Sequence, residues 1–191
     1  MIKVISLSPT KTRFGPLLFS GDLEHGLFKA AEFGYDGIEL SLRDSAEFDV
    51  AWLQSRLERL SLRVYAIATG QSYYNDGFSL FASKEDKRVK AVQRLKGHVD
   101  IASKLGAMVI IGGIRGKLDD EHDSHQLAAG EDALREVVAY GFEKDVTFLL
   151  EPINRYETNI SNTLAQGIEC IKKIGQPNLK LLADTFHMNL E

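Results

Sequence analysis

Two acidic residues, Glu151 and Asp184, carry the clearest chemical signal in the sequence. Each directly follows a short apolar run, and they are 33 residues apart, which is about one strand–helix repeat. Neighbouring parallel strands would hold the two carboxylates side by side, where they repel each other and resist ionisation unless a cation neutralises them. Carboxylate oxygens suit Mg²⁺ or Mn²⁺, and a nearby imidazole shifts the preference towards Mn²⁺, Co²⁺ or Zn²⁺. The spacing predicts a divalent metal site with these two acids as ligands.

Further polar residues follow the same two runs. His187 lies three residues beyond the second acid, and Glu157 lies six residues beyond the first, where it could orient the histidine or bind a substrate hydroxyl. Asn154 and Arg155 are candidates for holding the carboxylates in place. The alternatives are a histidine at the surface or satisfied in the core, a solvated Glu157, and strand-end acids that cap the following helices or pair with Arg155.

Two other strand ends carry candidate substrate-binding residues. Arg115 belongs to the glycine-rich stretch at residues 112–116, and its guanidinium could grip a carboxylate or phosphate in a forked geometry. The alternative is a salt bridge to the acidic residues 119–121. Gln71 belongs to a polar and aromatic loop at residues 69–74 that suits sugar hydroxyls.

Alternating strand and helix patterns must position these residues. Apolar runs typical of strands buried on both faces occupy residues 2–7, 37–42, 62–68, 107–111, 146–150 and 179–183. Amphipathic helical patterns lie between them, at residues 22–33, 50–60, 86–105, 127–142 and 160–174. Gly34, Gly106 and Gly175 stand where three of these helices should end.

Such alternation predicts parallel strands with right-handed crossovers. An open nucleotide-binding sheet would favour a glycine-rich turn after the first strand, and residues 8–15 lack one. Because polar residues gather at the ends of several strands, we favour a (β/α)₈ barrel, with a generic α/β sheet as the alternative. Only six of eight strands are visible, in a chain shorter than the typical length of about 250 residues. We expect a single TIM-barrel domain over residues 1–191, truncated after the sixth strand and lacking its last two strand–helix units.

Composition excludes several classes of protein. The 23 basic and 27 acidic residues give a net charge of −4, which argues against a nucleic-acid partner. The single cysteine, Cys170, excludes an internal disulfide framework and zinc sites built on several cysteines. Neither a secretory signal nor an apolar run of membrane-spanning length is visible, so we expect a cytoplasmic protein without a membrane partner.

The strand-end motifs resemble a known family. Residues 151–157 (EPINRYE) and 183–189 (ADTFHMN) resemble the ketose 3-epimerases of the D-tagatose and D-psicose type, in the sugar isomerase and epimerase branch of the xylose isomerase-like TIM barrels. Residues 68–73 (ATGQSY) and 109–116 (VIIGGIRG) are similar to a 5-keto-L-gluconate epimerase-like subgroup. The resemblance runs the length of the chain and is most specific at the first two motifs.

This resemblance implies an enzyme of carbohydrate metabolism that holds one divalent metal, usually Mn²⁺, through Glu, Asp, His and a second Glu. Glu151 and Asp184 match the first two ligands, and the other two belong on strands later than this sequence contains. His187 matches the residue that contacts a substrate oxygen, and Glu157 matches its supporting acid. A homo-oligomer is implied as well.

The implied reaction is epimerisation of a ketose or keto sugar acid through an enediolate, with Glu151 as general base. Contact between Arg115 and a substrate carboxylate would favour a sugar acid. Three alternatives remain: an aldose–ketose isomerase of the hydroxypyruvate isomerase type, an endonuclease IV-like enzyme, and a non-catalytic sugar-binding protein. An endonuclease of that type needs many ligating histidines and a basic surface, which the five histidines and the net negative charge disfavour.

Overall fold

Six short strands alternate with helices along the chain, as the apolar runs predicted. The computed structural model describes residues 1–12, 17–46 and 48–191. The strands are β1 (Val4–Leu7), β2 (Gly37–Ser41), β3 (Arg63–Ala68), β4 (Met108–Ile111), β5 (Phe148–Leu150) and β6 (Leu179–Leu181). All six predicted strands are present. Part of the loop used to argue against a nucleotide-binding turn, residues 13–16, lies outside the described residues.

The helices include all five that the apolar periodicity predicted and two short ones that it did not. They are α1 (Leu23–Glu32), α2 (Val50–Leu60), α3 (Gln71–Tyr74), α4 (Glu85–Leu105), α5 (Ser124–Phe142), α6 (Leu164–Ile174) and α7 (Thr185–Met188). Helix α6 begins later than predicted, because Thr163 and Gln166 form a reciprocal capping box there. Gly106 and Gly175 end α4 and α6 at φ values of 63° and 73°, a left-handed conformation that glycine adopts without strain.

The strands form one parallel sheet in the order β1-β2-β3-β4-β5-β6. A doubly wound sheet reverses its strand order at a switch point, whereas successive strands of a TIM barrel are always neighbours. The order among the described strands is therefore that of a barrel wall, and the fold is a TIM-barrel-like α/β fold. In this arrangement the carboxyl ends of all six strands lie along one rim.

Helices α1, α4 and α6 pack against the strands, and neighbouring helices contact each other around the sheet. The core lies between these layers and contains fully buried residues from both, including Leu7, Leu27, Ile67, Leu95 and Phe148. Burial on both faces explains why the strands read as continuous apolar runs. Within the described residues, no helix has the length and apolar character needed to cross a membrane.

Candidate active site

Glu151 and Asp184 converge at the carboxyl-terminal rim of the sheet. The N–H of Glu151 donates to a carbonyl of β4 (3.1 Å), and the N–H of Leu182 donates to a carbonyl of β5 (2.9 Å), so strand pairing continues up to both acids. One ligand atom each of Glu151, Asp184 and His187 all lie within 4.8 Å of one another. The structure thus brings together the two acids predicted as metal ligands and adds the imidazole of His187 to them.

The alternative interpretations of the two acids can be tested against their contacts. Asp184 does cap a helix, since its Oδ1 accepts from the N–H of Phe186 (2.7 Å) at the start of α7, while its Oδ2 lies 3.9 Å from Nε2 of His187. Arg155 is exposed and donates to the carbonyl of Leu190. Among the described residues it pairs with neither acid, so the ion-pair alternative is wrong.

A third acid, Glu39, faces the same site, and the sequence analysis did not identify it. It lies opposite Ser6 in the β1–β2 register and accepts a hydrogen bond from the Ser6 hydroxyl (2.8 Å). Burial raises the pKa of Glu39, the Ser6 bond lowers it, and the negative charge of Asp184 raises it further. The available signal was a single charged residue inside a largely apolar strand.

The pKa of Glu151 is also raised above its ordinary value. Burial, followed by the charges of Glu39 and Asp184, raises its pKa from 4.5 to about 7, against a smaller lowering effect of Arg115. Among the described residues no lysine or arginine side chain forms an ion pair with Glu39, Glu151 or Asp184. The rim therefore carries an excess of negative charge, which a bound cation would offset.

Asn154 connects two of the predicted substrate-binding residues. Its Nδ2 donates to Oε1 of Glu157 (2.8 Å) and lies 2.9 Å from Nδ1 of His187, which its backbone N–H also faces (3.4 Å). Because the donors of Asn154 point at Nδ1, this nitrogen is the acceptor and the ring proton sits on Nε2. His187 therefore presents an N–H donor to the site. The other carboxylate oxygen of Glu157 accepts from the Tyr74 hydroxyl (3.0 Å).

Several of these residues line a cavity of about 350 Å³, whereas Asn154 and Asp184 lie outside its lining. Its polar walls come from Glu39, Glu151, Glu157, His187 and Tyr74, and glycines at positions 70, 112 and 113 form part of its surface. No lysine or arginine is found among the described lining residues. The cavity is therefore rich in hydrogen-bonding groups suited to hydroxyls, without a fixed positive charge for a carboxylate or phosphate.

A wider cavity of about 620 Å³ lies next to the loops that follow β1 and β2. Its charged side chains pair with each other: Arg43 with Asp76 (2.5 Å), and Arg94 with both Asp44 (2.9 Å) and Asp76 (3.1 Å). Because these charged side chains already form ion pairs with each other, we take the smaller cavity as the candidate functional site.

The prediction that Arg115 contacts substrate is wrong. Its side chain is 1% exposed, and the guanidinium donates to the carbonyls of Glu151, Ile160, Ser161 and Gly112. The alternative salt bridge to residues 119–121 is not formed either. Burial lowers the pKa of Arg115 to about 10. Through these hydrogen bonds, Arg115 connects the glycine-rich loop after β4 to the loop that begins at Glu151.

The Gln71 side chain also forms its hydrogen bonds within the protein and does not line the cavity. The side chain is fully buried; its Nε2 donates to Oγ of Ser8 (2.8 Å) and to the carbonyl of Ser41 (2.8 Å), and its Oε1 accepts from Thr10 (3.1 Å). The predicted substrate contact of Gln71 is therefore corrected: its amide fixes α3 against the loops after β1 and β2. Tyr74, at the other end of α3, is the residue of this segment that reaches the site.

Comparison with known proteins gives consistent matches. Residues 27–191 match the family model described as xylose isomerase-like TIM barrel. The L-ribulose 3-epimerase of Methylomonas sp. (strain DH-1) is 31% identical over 96% of this chain and 66% of its own length. The L-ribulose 3-epimerase of Mesorhizobium japonicum is 35% identical over 89% of this chain and 57% of its own length.

A crystal structure of a D-allulose 3-epimerase from Methylomonas sp. in complex with D-allulose superimposes on the whole chain. The TM-score is 0.80 at 25% identity, and the match covers 65% of that protein. The chain thus spans somewhat less than two thirds of the length of these relatives.

Proposed function

This chain belongs to the xylose isomerase-like TIM barrel family, and from that premise we propose that it acts as a metal-dependent sugar epimerase. The reaction inverts a carbon beside a ketone by removing its proton on one face and returning a proton on the other. One observation carries the proposal: Glu151, Asp184 and His187 meet within 4.8 Å at the rim of the sheet. Relatives named as 3-epimerases support a ketose as the substrate and carbon 3 as the reacting carbon.

Glu151 and Asp184 are the proposed metal ligands. Their carboxylates fit a divalent cation because neighbouring acids oppose the ionisation of Glu151, the charge of Arg115 offsets this only in part, and no described lysine or arginine side chain forms an ion pair with it. Carboxylate oxygens suit Mn²⁺ or Mg²⁺, and the histidine ligand that the family resemblance places on a later strand would favour Mn²⁺, with Co²⁺ and Zn²⁺ as further alternatives. When bound, such a cation supplies positive charge that stabilises an enediolate.

Glu151 is the proposed general base. Its carboxylate takes the proton from the carbon beside the carbonyl, and the electron pair of that C–H bond moves into the enediolate. To accept the proton Glu151 must be ionised, and a bound cation would favour that form by offsetting the burial and neighbouring negative charges that raise its pKa in the metal-free site. The family resemblance assigns the opposite face of the sugar to a glutamate on a later strand.

His187 and Glu157 are the proposed substrate contacts. Asn154 donates a hydrogen bond to Nδ1 of His187. The Nε2–H of His187 is therefore directed away from Asn154 and can donate to a substrate oxygen. This tautomer supports substrate contact by His187 in preference to metal ligation, which requires a lone pair on the nitrogen. Glu157 supplies an acceptor for a substrate hydroxyl.

A neutral ketose fits the site better than a keto sugar acid. The sugar-acid alternative depended on Arg115, whose guanidinium is engaged by backbone carbonyls. A carboxylate or phosphate among the acids of this cavity would lack a basic partner among the described residues and would be repelled.

Incubation of the protein with Mn²⁺ and L-ribulose in D₂O tests this proposal. We expect deuterium at carbon 3, observed by NMR, and no exchange with Glu151→Gln; formation of the C3 epimer would in addition report proton return on the opposite face. An aldose product would instead identify an aldose–ketose isomerase. Binding of the ketose without exchange would favour a non-catalytic sugar-binding protein, and cleavage of abasic DNA would favour the endonuclease IV-like alternative.

A further inference from the structure

The Glu157 carboxylate is held from two sides. Asn154 donates to Oε1 (2.8 Å), and the phenol of Tyr74 donates to Oε2 (3.0 Å). An ionised carboxylate offers about four acceptor positions, so both oxygens keep capacity for a substrate hydroxyl. Two donors on different oxygens also restrict rotation of the carboxylate plane, which sets the directions in which the remaining lone pairs point.

The position of Tyr74 is itself fixed by neighbouring residues. The buried Gln71 amide anchors α3 to Ser8 and Ser41, one turn before Tyr74. The Tyr74 ring lies against Gly113, where a Cβ atom would come within 2.8 Å of the ring. The absence of a side chain at position 113 therefore allows the ring to sit between α3 and the loop after β4.

Tyr74 remains a donor over the ordinary pH range. Burial and the adjacent Glu157 charge both raise the pKa of its phenol, because a phenolate there would be desolvated and repelled by the carboxylate. Hydrogen bonds to a charged acceptor are stronger than those between neutral groups, so loss of the hydroxyl should have a measurable effect.

We propose that Tyr74 is a positioning residue that orients the Glu157 carboxylate towards a substrate hydroxyl, acting together with Asn154. This inference rests on the proposed function, in which Glu157 contacts the sugar. It extends that function to a residue on α3 that does not itself need to touch the reacting atoms. The physical basis is pre-organisation: a carboxylate already oriented loses less freedom when the sugar binds.

A double-mutant cycle on D-allulose binding tests the proposal, measured calorimetrically with Mn²⁺ present. Tyr74→Phe should weaken binding by about tenfold to a hundredfold. In the Glu157→Ala background the same change should have an effect of at most about twofold, because the acceptor is already gone. Tyr65→Phe, which removes a hydroxyl from the opposite end of β3, is the matched control and should bind as the wild type does.

A role of Tyr74 in folding alone predicts a different pattern. Tyr74→Phe would then lower the unfolding midpoint and weaken binding equally in both backgrounds, which would overturn the proposal. Unchanged binding by Tyr74→Phe, with normal binding by the wild type, would overturn it as well. If the wild type neither binds D-allulose nor exchanges deuterium into L-ribulose, the proposed function and this inference both fail; deuterium exchange by the wild type together with an unresponsive Tyr74→Phe variant refutes only the inference.

Discussion

Replacing Glu151 with glutamine should stabilise the metal-free protein above pH 7. The pKa of Glu151 rises on folding from 4.5 to about 7, so the folded state favours the neutral carboxyl. Between these two pH values the folded protein binds more protons than the unfolded chain, and its stability therefore falls as the pH increases. Each pKa unit corresponds to about 1.4 kcal/mol, so the wild type should lose about 2–3 kcal/mol after allowance for the partial exposure of this side chain.

Glutamine has nearly the same shape but cannot ionise, so Glu151→Gln avoids this loss. At pH 8 in EDTA, we expect the variant to be more stable than the wild type by about 2–3 kcal/mol, or roughly 5–10 °C in unfolding midpoint for a chain of this size. At pH 4.5 the two proteins should be similar, because the folded wild-type carboxyl is then protonated.

Urea unfolding of both proteins at several pH values between 4.5 and 8 measures this difference. Glu169→Gln, a change at an exposed glutamate on α6, is the matched control and should follow the wild type. If Glu151→Gln is no more stable than the wild type at pH 8, or if its stability has the same pH slope, the assignment of Glu151 as a buried acid in an excess of negative charge is refuted.

Two further predictions follow from the contacts around this acid. Arg115→Met should destabilise the protein by about 3–5 kcal/mol in urea unfolding, because four backbone carbonyls lose their hydrogen-bond donor. A loss of stability below about 1 kcal/mol would contradict the structural role described for Arg115. Asp184→Asn should weaken Mn²⁺ binding at least about tenfold in calorimetry. The metal-free unfolding midpoint should not fall, since asparagine caps helices as well as aspartate does and the change removes a charge that raises the pKa of Glu39 and Glu151. Unaltered Mn²⁺ affinity would remove Asp184 from the ligand set.

The local sequence pattern was sufficient to predict the strands and the long helices. Their apolar residues recur over enough positions to reveal a period, and Gly106 and Gly175 mark the ends of two helices. Helices α3 and α7 have four residues each, too few for a helical period to be visible. Each follows directly on a strand, α3 on β3 and α7 on β6. Where the chain turns after a strand depends on how that strand is placed in the sheet, and the local sequence does not show this.

The site was predictable only in part. Glu151 and Asp184 could be paired from the sequence, because parallel neighbours bring equivalent strand ends to one rim. The direction of a side chain beyond a strand end is not encoded locally, so Arg115 and Gln71 were assigned to substrate although both point into the protein. Glu39 was missed because its partners, Ser6 and Asp184, come from distant parts of the chain.

Anomalous diffraction at the manganese absorption edge, from crystals of this protein grown with MnCl₂, tests the proposed metal site most directly. We expect one strong peak bonded to a carboxylate oxygen of Glu151 and one of Asp184, with Nε2 of His187 facing the adjoining cavity. A peak bonded elsewhere, or well-ordered Glu151 and Asp184 side chains with no peak between them at saturating Mn²⁺, would contradict the metal site and the epimerase function built on it.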